Sequence, residues 1–173
     1  MLKYMYMNGL RLAVIQDLPS IMDVVRDAQE FLKPQNSGQW QDGTPSIATI
    51  AEDSINNRFY VWEEDEIIVG IIALLDYDKD YDNLVSGHWR FPPPYLVIHR
   101  FAVLSQYHSQ GIASKILQAV EDIAKERNIK TIRIDTHERN APMIALLVKN
   151  GFVQCGEVLI EGTKPRITFD KEI

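Results

Sequence analysis

The sequence predicts an α/β chain of mixed α+β type: a central mixed sheet of about seven strands flanked by helices. Two observations carry this. "RFYVWEE" and "EIIVGIIALLDY" (58–77) are β-rich runs on either side of an acidic turn at Glu64–Asp65, the pattern of an antiparallel hairpin. Residues 95–136 instead read strand, helix, strand, which implies two parallel strands and a right-handed crossover. An antiparallel first half joined to one parallel unit makes the sheet mixed.

The elements follow in order. "LRLAVI" (10–15) is a first strand. Residues 17–32 place Ile21, Val24, Val25, Ala28 and Leu32 at helical spacing on one face. Residues 33–45 are loop by their Gly, Pro, Asn and Asp content, and a short helix is expected around 45–56. After the hairpin, the acidic, aromatic and Pro-rich stretch 76–94 reads as an exposed excursion. "YLVIHRFAV" (95–103) is a strand. Helix 111–128 gathers Ile112, Ile116, Leu117, Val120, Ile123 and Ala124 on one face, as a helix lying on a sheet requires. "KTIRIDT" (130–136) is the parallel partner strand. Residues 140–152 form another helix, capped by Asn140 and stopped by Asn150–Gly151. "VQCGEVLI" and "RITFD" close the sheet.

Composition narrows the function classes. At 173 residues the chain reads as one domain over 1–173, with 46% hydrophobic and 24% charged residues, the balance of an ordinary globular protein. A net charge of −6 and no basic stripe argue against nucleic-acid binding. No apolar run reaches membrane-span length, and the N-terminus lacks the pattern of a secretory signal. Cys155 is the only cysteine, which excludes an internal disulfide and fits the cytoplasm. A homodimer through the late strands is compatible with the pattern.

"SQYHSQGIASKIL" (105–117) is a polar turn running straight into a helix. Such a junction leaves backbone N–H groups unpaired at the positive end of the helix dipole, an anion site. Gly111 and Ala113 keep side chains out of the way, while Ser109, Gln110 and Ser114 offer hydrogen bonds. A diphosphate suits the site, though a plain tight turn has the same local sequence.

"YLVIHRFAVLSQYHSQGIASKIL" followed by "IRIDTHERNAPMIALLVKNGF" resembles the GCN5-related N-acetyltransferases, the GNAT superfamily. "HSQGIA" (108–113) stands at the family's first motif and "N…KNGF" (140–152) at its second. The resemblance implies a sheet splayed at its two central parallel strands and acetyl-CoA as cosubstrate. The backbone of Phe101 and Val103 would pair with the pantetheine arm, with a bulge near 101–102. The diphosphate would rest on His108, Ser109, Gln110, Gly111, Ile112, Ala113 and Ser114, and Asn140 would approach from the parallel strand. His108 replaces the family's usual Arg or Gln. Leu147 stands where many members carry the tyrosine that protonates the leaving thiolate.

Acetyl transfer to an amine requires removal of a proton, polarisation of a carbonyl and positioning of both reactants. Strand alternation puts Val97, His99, Phe101 and Val103 on one face, with His99 two pleats back from the cofactor end. His99 also matches the histidine that serves as base in arylalkylamine N-acetyltransferases; otherwise it is a histidine bonded within the sheet. His137 is a candidate acid, held by Asp135, or a residue that orients its loop. A metal site from His99, Asp135 and His137 lacks a ligand-spacing motif, so no metal is expected. Arg100 should face away from His99, towards a carboxylate, and Cys155 reads as a structural thiol. Trp40, Asp42 and Trp62, with Tyr60 and Trp89, are candidates for contacts to the acceptor, though Tyr60 and Trp62 also suit a core face. The expected activity is direct transfer in a ternary complex to a small-molecule or peptide amine. A non-catalytic acyl-CoA sensor on the same fold is the alternative, and a nucleotide-binding α/β domain fails for want of a Gly-x-Gly-x-x-Gly fingerprint.

Overall fold

The computed structural model describes residues 8–173; the signal-sequence reading of residues 1–7 lies outside them. One sheet of eight strands runs in the order β1-β2-β3-β5-β6-β8-β7-β4. Its strands are β1 (Gly9–Leu12), β2 (Phe59–Glu64), β3 (Ile67–Leu75), β4 (Ser86–Gly87), β5 (Leu96–Val103), β6 (Thr131–Thr136), β7 (Val153–Ile160) and β8 (Lys164–Glu172). Among the described residues only β5 and β6 pair in parallel; the other pairings are antiparallel. The helices are α1 (Leu18–Leu32), α2 (Ile47–Ile55), α3 (Ile112–Glu126) and α4 (Ala141–Lys149).

The amphipathic stripes decide which face each helix covers. Ile112, Ile116, Leu117, Val120 and Ala124 of α3 pack with Leu96, Ile98, Ile132 and Ile134 on one face of the sheet. Burying each large aliphatic side chain contributes about 1.5–3 kcal/mol, far above the intrinsic preference of a 15-residue segment for helix. Ile21, Val24 and Val25 of α1 cover the opposite face with Ile50 of α2, against Phe59, Val61, Ile71 and Ala73. Ser46 caps α2 by accepting the amide of Thr49, and Asn140 caps α4 by accepting that of Met143.

Two expectations need correction and a third needs refining. β1 ends at Leu12 because the Asp17 carboxylate takes the Val14 amide at 2.9 Å and pairs with Arg11 at 2.7 Å, drawing the chain into a tight turn. The hairpin turn is Asp65–Glu66, one residue later than expected; both have positive φ, 47° and 65°, the twist-matched geometry for a two-residue loop. The stretch 76–94 is exposed at most of its positions, as expected, but it is structured and anchored. It forms a 3-10 turn at Lys79–Asp82 whose Tyr81 is buried against Tyr95, Val97 and Val158, and then the edge strand β4. Gly87 and Gly156 let β4 approach β7: a Cβ on either would lie 2.1 or 2.0 Å from a facing carbonyl oxygen.

Candidate active site

The site begins with a bulge in β5. His99 opposes Ala73 and Ala102 opposes Ile71, so Arg100 and Phe101 share a single partner position. Arg100 takes φ 52° and its guanidinium lies 2.8 Å from Asp53 of α2, a carboxylate that also holds Arg58 at 3.1 Å. The extra residue reverses the alternation beyond it. Phe101 and Val103 join the α3 face, while His99 stays on the other face beside Val97. The expected common face for His99, Phe101 and Val103 is therefore wrong, and Arg100 lies on the same side of the sheet as His99.

Parallel pairing of β5 with β6 stops at Ile98 opposite Ile134, five residues before β5 ends. The Leu104 amide donates to Val69 of β3 at 2.8 Å. By alternation, Ala102 and Leu104 direct their backbone groups to β3, and Phe101 and Val103 direct theirs into the gap. A pocket of about 1420 Å³ opens there, lined by both strands, α3, α4 and the loops around them. It exceeds the ~300–1,000 Å³ of ordinary small-molecule sites, room for two reactants.

At one end of the gap the turn before α3 forms a nest. Ser109 and Gly111 have φ of 63° and 80°, and the first helical bond runs from Lys115 to the Gly111 carbonyl. Among the described residues, no acceptor meets the N–H groups of residues 109–114. A Cβ added to Gly111 would meet nothing within 4 Å, so the space before these amides is clear. The arrangement fits a diphosphate. His108 departs from expectation. Its amide donates to Ser105 at 3.1 Å and its ring Nε2 donates to the Val103 carbonyl at 2.8 Å, edge-on to Phe31. Neither group is left for an anion. The Gln110 side chain likewise turns back to Gln106. Two supports escaped the sequence reading. Asp27 of α1 accepts both the amide and the hydroxyl of Ser105 at 2.7 Å, and Asn150 donates to Ser114 Oγ at 3.0 Å.

His99 lies at the other end. Its Nε2 is 2.7 Å from Asp78 Oδ2, and its Nδ1 is 4.0 Å from Asp135 Oδ1. Burial works to raise the Asp78 carboxyl, but the His99 ring and the Asp80 amide outweigh it and hold Asp78 below the usual range. Burial pushes the Asp135 carboxyl up despite His99 and the Tyr81 hydroxyl, which donates to it at 2.6 Å. Asp135 does not hold His137. The His137 Nδ1 accepts the Arg139 amide at 3.1 Å, ordering the loop into α4, and burial and Arg166 lower its affinity for a proton. Asn140 is buried in the pocket wall, with Nδ2 3.4 Å from Gln39.

Trp40 and Asp42 line the pocket. Asp42 bridges to Lys164 at 3.0 Å, across from the β7–β8 turn, and Thr44 and Lys164 bring its carboxyl down to about 2. Trp62 does not line it. Its ring is buried in the α3-side core with Tyr60, and its Nε1 donates to Glu64, because β2 lies two strands from the gap. Trp89 packs under Arg133 and donates to the Tyr81 carbonyl. Leu147 is fully buried in the α3-side core. Burial raises the Cys155 thiol to about 11, unsuited to acyl carriage. Among the described residues no three His, Cys, Asp or Glu side chains are grouped to hold a metal ion, and no helix is long and apolar enough to cross a membrane.

The chain has counterparts among known proteins. Residues 25–152 match the sequence profile of the Acetyltransferase (GNAT) family. "Uncharacterized N-acetyltransferase YesJ" of Bacillus subtilis is 25% identical over 111 residues, 63% of this chain and 61% of that protein's length, so the match spans less than two thirds of the relative. The crystal structure of a GNAT-family acetyltransferase from Streptococcus agalactiae superposes with a TM-score of 0.87 at 30% identity, covering 98% of both chains. PaiA N-acetyltransferase from Thermoplasma acidophilum, solved in complex with coenzyme A, shares the fold, with a TM-score of 0.74 at 16% identity over 96% of this chain and 99% of that one.

Proposed function

The chain belongs to the acetyltransferase (GNAT) family, and from that premise we propose that it moves an acetyl group from acetyl-CoA directly to a primary amine. The observation that carries this reading is the continuity of the gap. The edge of Phe101 and Val103, unpaired with β6 and met only at the Val103 carbonyl by the His108 ring, runs straight to the unpaired amides of 109–114. A pantetheine arm has amides to pair with that edge, and its diphosphate suits the nest. The relative solved with coenzyme A supports the same ligand.

Acetyl-CoA supplies the thioester. The side chains supply proton handling and position. With Nε2–H given to Asp78, His99 Nδ1 bears the lone pair, and His99 lines the pocket. It takes the proton that the ammonium must lose, directly or through one water. Ionised Asp78 then stabilises the imidazolium. The amine N–C bond forms, the C–S bond breaks, and the thiolate leaves, regaining a proton from the imidazolium or from water. Leu147 removes the usual tyrosine from that last step. A cytoplasmic setting, small-molecule or peptide acceptors and the absence of a metal complete the proposal.

Acetyl-CoA at one hundred times its Kd should stabilise the fold by about 2.7 kcal/mol. For a chain of this length that raises Tm by roughly 5–10 °C. Gly111→Glu, which sets a carboxylate before the nest, should abolish the shift. Stabilisation by ATP but not acetyl-CoA, or an intact shift in the variant, would refute the proposal. Thiol release across a panel of amines tests transfer itself.

A further inference from the structure

Arg166 lies on β8 immediately beyond the residue that pairs with the end of β6, and it lines the pocket next to His99 and Asp135. Its side chain is only 12% exposed. A buried guanidinium ordinarily spends its donors on a carboxylate, often two at once. Here only Nη1 finds an acceptor within hydrogen-bond distance among the described residues, the backbone carbonyl of Pro165 at 2.8 Å. Nε is 4.0 Å from Asp135 Oδ2, beyond hydrogen-bond range, and Asp135 gives its other oxygen to Tyr81. Nε and Nη2 are therefore unspent, at the wall of the acceptor end.

Resting on the transferase reading above, we propose that the acceptor is an amino acid, and that Arg166 is the specificity residue that binds its carboxylate. The spacing supports a compact acceptor. His99 Nδ1 and Arg166 Nε each lie 4.0 Å from an oxygen of the same Asp135 carboxylate. They are thus separated by no more than two such contacts and the width of one carboxylate. An ammonium and a carboxylate borne on one carbon fit between them; the free ends of a protein chain do not. Asp135 stands in the middle, where it faces the ammonium, and Asp78 faces the same nitrogen from behind His99. Of the other cations at this end, Lys79 is exposed and sits beside Asp78, and the rest are committed. Lys164 joins Asp42 and Glu161, and Arg100 joins Asp53. In the reaction the amino acid's nitrogen forms the bond to the acetyl carbon as the C–S bond breaks. Its proton leaves through His99, and its carboxylate stays on Arg166 throughout.

The test compares matched acceptors by thiol release from acetyl-CoA: amino acids, the same amino acids as amides, and the amines left by decarboxylation. The wild-type protein should favour the acids at least tenfold in kcat/KM. Charge-assisted hydrogen bonds contribute about 1.5–3 kcal/mol, so Arg166→Met should raise KM for the acids roughly 10–100-fold with kcat little changed. The ratio of acid to amine should collapse towards one. Arg166→Lys, which keeps the charge but not the fork, should recover part of it. Retention of the acetyl-CoA thermal shift by both variants checks that they fold, and the amide series needs no variant at all. Equal or better transfer to amides, amines or peptide N-termini by the wild type would overturn this inference and leave the transferase reading standing. Binding of acetyl-CoA without thiol release from any acceptor would overturn both.

Discussion

A carboxylate 2.7 Å from one ring nitrogen of His99 fixes which nitrogen can act as a base. Asp78 accepts from Nε2, so Nδ1 carries the lone pair, and an ionised Asp78 also favours the protonated ring that follows. Two substitutions separate these roles. His99→Gln removes the proposed base and should lower kcat by about 10²–10⁴-fold, the usual range for general-base catalysis. Asp78→Asn keeps a hydrogen-bonding group but removes the anion opposite the imidazolium. The ring then lacks its counter-charge once it has taken the proton, so kcat should fall, by less than in His99→Gln, with acetyl-CoA affinity kept. An unchanged kcat would show that Asp78 only props the loop. The sequence could point to His99 because its neighbours form an unmistakable strand. It could not point to Asp78, Tyr81 or Arg166, since each joins the site through a chain reversal whose geometry no local pattern encodes. The alternation of acidic and aromatic residues in "DYDKDYD" was the one available signal. Trp62 went astray for a simpler reason: alternation assigns a residue to a face, but not to a distance from the gap.

At the scale of elements, the bulge in β5 does the separating. Pairing with β6 persists while β5 is regular and ends just before Arg100. The left-handed backbone there is unfavourable for a residue with a Cβ, by about 1–2 kcal/mol. The ion pair from Arg100 to Asp53 of α2 holds the turned residue in place. Asp53 is almost wholly buried and faces two arginines, so Asp53→Asn leaves Arg100 without a counter-charge and Arg58 with only Glu52, 3.9 Å away. Partial exposure of the arginines reduces the penalty below that of a fully buried pair, to roughly 2–3 kcal/mol. Chemical denaturation should show that loss, and acetyl-CoA affinity should fall with it because the bulge is no longer pinned. Full stability with full affinity would mean the bulge needs no such anchor. Strands and helices were legible here to within a few residues, since their apolar periods are strong. The bulge was foreseen one residue away, yet its consequence for His99 was missed, because a single inserted residue inverts every face downstream.

Across the whole molecule, the pocket joins parts of the chain that are far apart in sequence. Asp27 of α1 steadies the turn that leads to the nest, and Arg139 donates to the Asn36 carbonyl at 3.0 Å, tying the loop after α1 to the start of α4. At the acceptor end two loops are closed together by Lys164, the first residue of β8, which bridges Asp42 and Glu161. That order of elements, a mixed sheet splayed at its parallel pair, was legible because two motifs at the right separation constrain everything between them. The closure was not, since it depends on two loops meeting. Its energetics differ from those of the core. Asp42 and Lys164 are about half and one third exposed, so the pair should contribute no more than about 1 kcal/mol and be screened by salt. The Asp42 carboxyl titrates at about 2, below its unfolded value of ~3.9, so its contribution is complete above pH 4 and is lost as pH falls through 2. Near neutrality the bridge is always made. Asp42→Asn should accordingly change Tm by no more than a few degrees, yet raise KM for the acceptor several-fold while leaving KM for acetyl-CoA unaltered, because the cofactor's gap lies at the other end. High salt should reproduce the effect in the wild-type protein and add nothing in the variant. A parallel rise in both KM values would place the bridge in the frame of the whole pocket, not at the acceptor's door.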